Sequence, residues 1–248
     1  MMQSDYTLLT RAFETRIRLG EDGISPVDIF NAASLMSEIT LVFYPFSPKL
    51  SGMCIKDSNS TVIALNSTSS YGRQRFTLAH ELYHFFYDNE GLTLCINDFE
   101  SDKTDIEKEA DIFASFLLLP PMGLKQFIEK HALNKIIDER LIVLIENHFE
   151  ISRQALLVRL RKEELIQTSE FEKYTSDITR SALRYGFSNK LYKPTSETQQ
   201  YTTLGQYVIL AEDLFKQGTV SKGKYEELLL EAFRSDIVYG TDDIELYD

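Results

Sequence analysis

Residues 73–87 carry the most regular pattern of apolar and polar positions in the chain. Leu78, Ala79, Leu82, Phe85 and Phe86 cover most of a helical cylinder, and Thr77, His80, Glu81, His84 and Asp88 form one polar stripe along it. That period predicts a helix buried on nearly every side, so the stripe must face partners inside the protein. Residues 104–119 predict a second helix, with Glu107, Asp111, Ala114 and Leu118 on one face and Glu109, Phe113 and Phe116 on another. The small side chains of Ala110 and Ala114 let these two helices approach closely.

Upstream, residues 6–19 read as an amphipathic helix ending at Gly20. Ser25, Pro26 and Asp28 supply a cap, a first-turn proline and an acid that predict a helix start, with the helix running to about residue 37. Residues 39–44, 51–55 and 61–66 are short β-branched or aromatic runs separated by Pro45, Pro48 and a polar stretch, and predict a small antiparallel sheet. Residues 89–103 read as an acidic, irregular loop. Helices follow at 122–131, 136–148 and 152–166, the last capped by Ser152. Residues 167–203 turn rich in Ser, Thr, Glu and Lys and read as a connector, after which helices at 204–217 and 221–234 flank Gly218.

The fold class expected from this pattern is α+β: a small sheet with two polar-striped helices, then a mostly helical C-terminal part. The expected divisions are 1–125 for the sheet-containing domain, 126–168 for a helical extension, and 169–248 for a C-terminal helical domain with its connector at 169–203. The pair of helices at 136–148 and 152–166 has a helix-turn-helix outline, with Arg153, Arg159, Arg161 and Lys162 on its second member.

Charge changes how that outline is read. The formal net charge is −12 and the pI about 4.9, which opposes direct DNA binding, since that affinity comes mostly from Lys and Arg near phosphates. The two cysteines, Cys54 and Cys95, form no C-x-x-C, so neither a disulfide framework nor a cysteine zinc site is indicated and a reducing compartment fits. The N-terminal residues lack the apolar core of a signal peptide, and the longest apolar run is too short to span a bilayer. The expectation is a cytoplasmic protein without a membrane segment.

The chemistry resides in His80-Glu81-Leu82-Tyr83-His84, an H-E-x-x-H sequence. Residues four apart on a helix lie about 5–6 Å apart at Cβ, so His80 and His84 can converge on one ion. Glu81, beside them, is placed to take a proton from a water. A catalytic zinc needs a third protein ligand and an open position. The face of the second helix assigns that ligand to Glu107 and leaves Glu109 for the core. Asp111, one turn on, is placed to accept a hydrogen bond from a histidine ring nitrogen. Tyr83, Tyr87, His131 and His148 are candidates to stabilise an oxyanion.

Residues 73–84 (RQRFTLAHELYH), followed by 106–114 (IEKEADIFA) and 117–120 (LLLP), resemble the ImmA/IrrE family of metallopeptidases. The resemblance implies a zincin-like core of the gluzincin kind, with Zn²⁺ held by His80, His84 and Glu107 and with Glu81 as general base. It further implies a cytoplasmic zinc endopeptidase whose protein substrate is a helix-turn-helix transcriptional repressor, as in prophages, mobile elements or stress regulons. The alternative is a zinc-stabilised protein that binds such a regulator, or DNA, without cleaving it. One departure stands out: Tyr83 occupies a position where the family more often has glycine, which bears on packing or substrate access rather than on ligation.

Overall fold

The computed structural model describes residues 4–57, 59–88, 91–96, 103–132 and 136–240. Helix α1 (Asp5–Arg18) begins at Ser4, whose side chain accepts from the Thr7 amide, and short α2 (Ile29–Ser34) follows. The helix start expected at Ser25 is corrected to Asp28. The Asp22 carboxylate accepts from both the amide and the hydroxyl of Ser25, at 2.6 Å each, holding Ser25 in a turn. Asp28 then receives the Asn31 amide and caps the helix.

Strands β1 (Ile39–Tyr44), β2 (Leu50–Lys56), β3 (Thr61–Asn66), β4 (Leu92–Ile96) and β5 (Thr202–Gly205) form a five-stranded sheet in the order β4-β2-β3-β1-β5. The expectation of an antiparallel sheet is therefore corrected: the sheet is mixed, because β3 runs parallel to β1 while the other pairs are antiparallel. Two chain reversals, one on each side of β2, return β3 to the direction of β1, and β3 fills the place between its predecessors. Its apolar residues suit that central place, with Ile63 and Leu65 wholly buried. Two strands fall where none was expected. Strand β4 lies in the stretch read as an irregular loop, and β5 begins at the end of the stretch read as a connector. Asp98, Glu100 and Asp102, also part of the expected acidic loop, lie outside the described residues.

Helix α3 (Tyr71–Tyr87) packs on the sheet, and α4 (Asp105–Leu118), capped by Thr104, packs against both α3 and α1. Ala110 and Ala114 are fully buried at this junction. Helices α5 (Pro121–His131), α6 (Glu139–Phe149) and α7 (Arg153–Lys162) follow, with Glu150 in the left-handed region at φ 51° turning α6 into α7. Helix α7 ends four residues before the expected position because the chain breaks at Glu164, φ 58°. Helices α8 (Thr168–Tyr174) and α9 (Ile178–Arg184) occupy part of the expected connector, and α10 (Gln206–Lys216), α11 (Lys222–Glu231) and α12 (Ser235–Tyr239) complete the described chain. Among the described residues no helix is long and apolar enough to cross a membrane.

The basic residues of the helix-turn-helix outline divide in two. Arg153 is buried and forms a two-pronged pair with the buried Glu146, at 2.6 and 2.7 Å. Arg159 is also buried, reaching Glu163 and the Ser115 hydroxyl. Half of the positive charge of α7 thus joins neighbouring elements inside the protein.

Candidate metal centre

Helix α3 brings its polar stripe into the interior as its period requires: His80, Glu81 and His84 are at most 1% exposed. Helix α4 crosses it so that Glu107 faces both imidazoles. Nε2 of His80 and Nε2 of His84 lie 3.3 Å apart, and the Glu107 carboxylate stands 3.0 Å from the first and 3.4 Å from the second. A tetrahedral ion with bonds of about 2.0–2.1 Å would hold its donors roughly 3.3–3.4 Å apart. These three groups could therefore hold a metal ion. Two imidazole lone pairs at this separation also repel one another unless a cation or proton stands between them, which is a second sign that the donor set fits.

The outer ring nitrogens fix the orientation of the inner ones. Nδ1 of His80 lies 2.9 Å from Asp111, and Nδ1 of His84 lies 2.9 Å from Asp88. Each carboxylate accepts a hydrogen bond from the Nδ1–H, and this aims an Nε2 lone pair at the centre. Lys103 closes on the other oxygen of Asp111 at 2.5 Å. Burial opposes the charged form of all four paired groups, yet the pairing outweighs it. His80, in contact with Cys95, Asp111 and Glu107, is raised well above its ordinary value, and His84 is raised by Glu107 and Asp88. Glu107 and Asp111 are lowered by the imidazoles they face.

Glu81 differs from these carboxylates. Burial pushes its carboxyl up to about 7, against the pull of His80 and His84. One oxygen accepts from the Thr93 hydroxyl at 3.3 Å, and the other, Oε1, is buried with no hydrogen-bond partner among the described residues. An orphaned buried carboxylate oxygen at a site of converging donors is the arrangement of a group waiting for water or substrate.

Several neighbours that hold the site were not found from the sequence. Lys56 on β2 donates to the carbonyls of His84, Phe85 and Asp88, at 3.1, 3.1 and 2.6 Å, fixing the end of α3 that carries a histidine and its partner. Gly52 lies under the helix: a Cβ there would meet the Thr77 methyl at 2.6 Å and Glu81 Oε1 at 3.4 Å. Gly52→Ala is expected to cost about 1–3 kcal/mol of stability, as overpacking does, and to lower activity by pushing α3 off the sheet. Denaturant unfolding beside a rate measurement checks this; an unperturbed variant would show that α3 does not sit so close.

The oxyanion candidates do not gather at the centre. Tyr83 donates to Glu109 at 2.6 Å and packs on Phe113, and the Tyr87 hydroxyl donates to the Arg11 carbonyl at 3.0 Å. Both tyrosines therefore join α3 to α1 and α4. Tyr83, larger than the glycine of the resembled family, fills the junction that Glu109 enters from α4. His131 and His148 flank the Phe127 ring at 4.4 and 4.6 Å. A cavity of about 750 Å³ opens beside His80, walled by Arg73, Phe76, Cys95, Lys108 and Phe116 among others, and none of the four candidates lines it.

A family model described as Peptidase_M78, IrrE N-terminal-like domain, matches residues 37–161, which run from β1 to α7 and include His80, Glu81, His84, Glu107 and Asp111. No curated protein matches the chain.

Proposed function

The chain belongs to the Peptidase_M78 family, metallopeptidases of the IrrE/ImmA type, and from that premise we propose that it is a zinc-dependent endopeptidase whose substrate is a helix-turn-helix transcriptional repressor. The observation that carries the reading is the spacing of the His80, His84 and Glu107 donors, 3.0 to 3.4 Å apart, with the unpartnered Glu81 carboxylate beside them. His80, His84 and Glu107 would hold the ion, and Asp88 and Asp111 would keep the two rings turned toward it.

A divalent ion bound there supplies Lewis acidity, polarising a peptide carbonyl and bringing the pKa of water from 15.7 toward about 7. Glu81 takes the proton of the attacking water through its free oxygen and passes it to the leaving amine. Thr93 holds the other carboxylate oxygen, so the free one keeps its aim. The buried walls around Glu81 exclude bulk water and strengthen each of these contacts. Strand β4 lies at the edge of the sheet next to the centre among the described residues, and the side it does not share with β2 offers main-chain groups along which an extended substrate segment can align. The 750 Å³ cavity next to His80 provides room for side chains flanking the scissile bond.

Incubating the zinc-loaded protein with the helix-turn-helix regulator encoded nearest its gene tests the reading. One discrete cut is expected, abolished by a chelator and restored by zinc. Tight binding of an uncut regulator would favour the zinc-stabilised binding protein instead.

A further inference from the structure

We propose that the cavity beside His80 selects its substrate by charge: it takes an extended segment in which acidic side chains are interspersed with apolar ones, and Lys108 anchors one of the carboxylates. The inference rests on the metallopeptidase reading above and narrows the substrate class of that same site.

The cavity of about 750 Å³ lies between helices. Its lining positions on α4, such as Lys108, Ile112 and Ser115, recur at steps of four and three residues, so one face of that helix forms a wall, and α3 and α7 supply others. Six lining side chains are cationic, Arg73, Lys103, Lys108, Arg153, Arg159 and Lys162, against one acid among the described residues, Asp111. The chain as a whole carries −12, so this wall runs against the overall balance. A cleft lined by one sign of charge focuses its field on whatever enters.

Pairs within the protein engage four of the six: Lys103 with Asp111, Arg153 with Glu146, Arg159 with Glu163, and Lys162 with Asp5. Both partners of the last pair are about half exposed, where such a contact contributes little. Lys108 is partly buried, and its ammonium has no hydrogen bond or ion pair among the described residues. It stands next to Glu107 in the chain, at the part of α4 that faces the imidazoles.

An independent observation points to an anion. Arg159 is 4% exposed and lies over the Phe116 ring. Its Nε donates to Glu163 and its Nη1 to Ser115, but Nη2 is buried with no hydrogen-bond partner among the described residues. Leaving a buried guanidinium N–H without an acceptor is costly, and an entering carboxylate supplies one. Arg159 meets α4 at Ser115, seven residues beyond Lys108 and so about 10 Å along the helix axis, the span of about three residues of extended chain. Phe76, Ile112, Phe116 and Val158 give the same cavity apolar walls, which suit apolar residues between two acids.

Two labelled peptides test this, carrying Leu-Glu-Ala-Leu-Glu or Leu-Gln-Ala-Leu-Gln between Gly-Ser flanks, titrated by fluorescence anisotropy into the full-length, zinc-loaded Glu81→Gln protein at physiological salt. The acidic peptide is expected to bind about tenfold tighter or more, as a charge-assisted hydrogen bond allows, although the protein's net charge repels it. Lys108→Gln should abolish that preference while keeping one zinc per chain, and Lys162→Gln, on α7, should reduce it. Equal affinities, no binding of either peptide, or a preference that survives Lys108→Gln would overturn the proposal. So would tighter binding of a ten-residue oligothymidylate, which would assign the charge to nucleic acid. Regulator cleavage by the wild-type protein is scored separately. Cutting without charge preference removes this inference and leaves the peptidase; charge preference without cutting keeps the cavity as a peptide site and removes the peptidase.

Discussion

Replacing Glu81 by glutamine is expected to lower peptide cleavage by about 10²- to 10⁴-fold, the usual contribution of a positioned general base, while leaving one metal per chain. Glutamine keeps the volume and the contact with Thr93 but cannot take a proton from water. Among the described groups, the donors at tetrahedral spacing are His80, His84 and Glu107, so removing the charge at position 81 leaves that set intact. Parallel measurements of metal content and of cleavage decide the matter. Loss of metal in the variant would make Glu81 a ligand, and undiminished cleavage would remove it from the mechanism. The same carboxyl sets the acid side of the rate profile. It must be ionised to act, and its value of about 7 without metal falls when a cation is bound nearby. Activity should therefore fall as the pH drops, along an acid limb centred no higher than about 7.

The second large effect concerns stability. Glu146→Ala is expected to cost about 3–5 kcal/mol, the range for breaking a buried ion pair by removing one partner. Glu146 is 0% exposed and accepts from both prongs of Arg153 and from the Tyr192 hydroxyl at 2.6 Å. Arg153 also donates to the Tyr174 carbonyl and the Ser181 hydroxyl, each at 3.0 Å. This one pair therefore ties α6 and α7 to α8, α9 and the segment around Tyr192, and truncation strands a guanidinium in the interior. Denaturant unfolding of the single variant and of Glu146→Met with Arg153→Leu separates the causes. The double variant should recover much of the loss; a cost below about 1 kcal/mol for Glu146→Ala would mean that water reaches Arg153.

What the sequence made legible at the site is local. His80 and His84 sit four apart on one helix, and the faces of the second helix separate Glu107 from Glu109, so geometry within single elements was enough to bring these groups forward. The Asp88–His84 contact was also readable, being another four-residue step along α3. Gly52, Lys56, Thr93 and Cys95 were not, because β2 and β4 carry them to the centre from far along the chain. Strand β4 even reverses the usual alternation. Leu92 and Leu94 are about half exposed, at 54% and 47%, while Thr93 and Cys95 turn inward. A reading that sends apolar residues to the core would have faced this strand the wrong way.

The same nonlocality accounts for the sheet and for the basic helix. The parallel alignment of β1 and β3 depends on which place the third strand takes, and nothing in the strands' own composition specifies it. Strand β5 is four residues long in a polar stretch, and its pairing with β1 supplies what its sequence does not. On α7 the count of positive charges was plain, but which of them turn inward depends on Glu146, Glu163 and Ser115.

The central claim is one ion held between α3 and α4 by two imidazoles and a carboxylate. Anomalous diffraction at the zinc edge, from crystals of the zinc-loaded full-length chain, tests it most directly. The account predicts a single strong peak within bonding distance of His80 Nε2, His84 Nε2 and the Glu107 carboxylate. A zinc peak elsewhere, or none in the space those three side chains enclose, would contradict it.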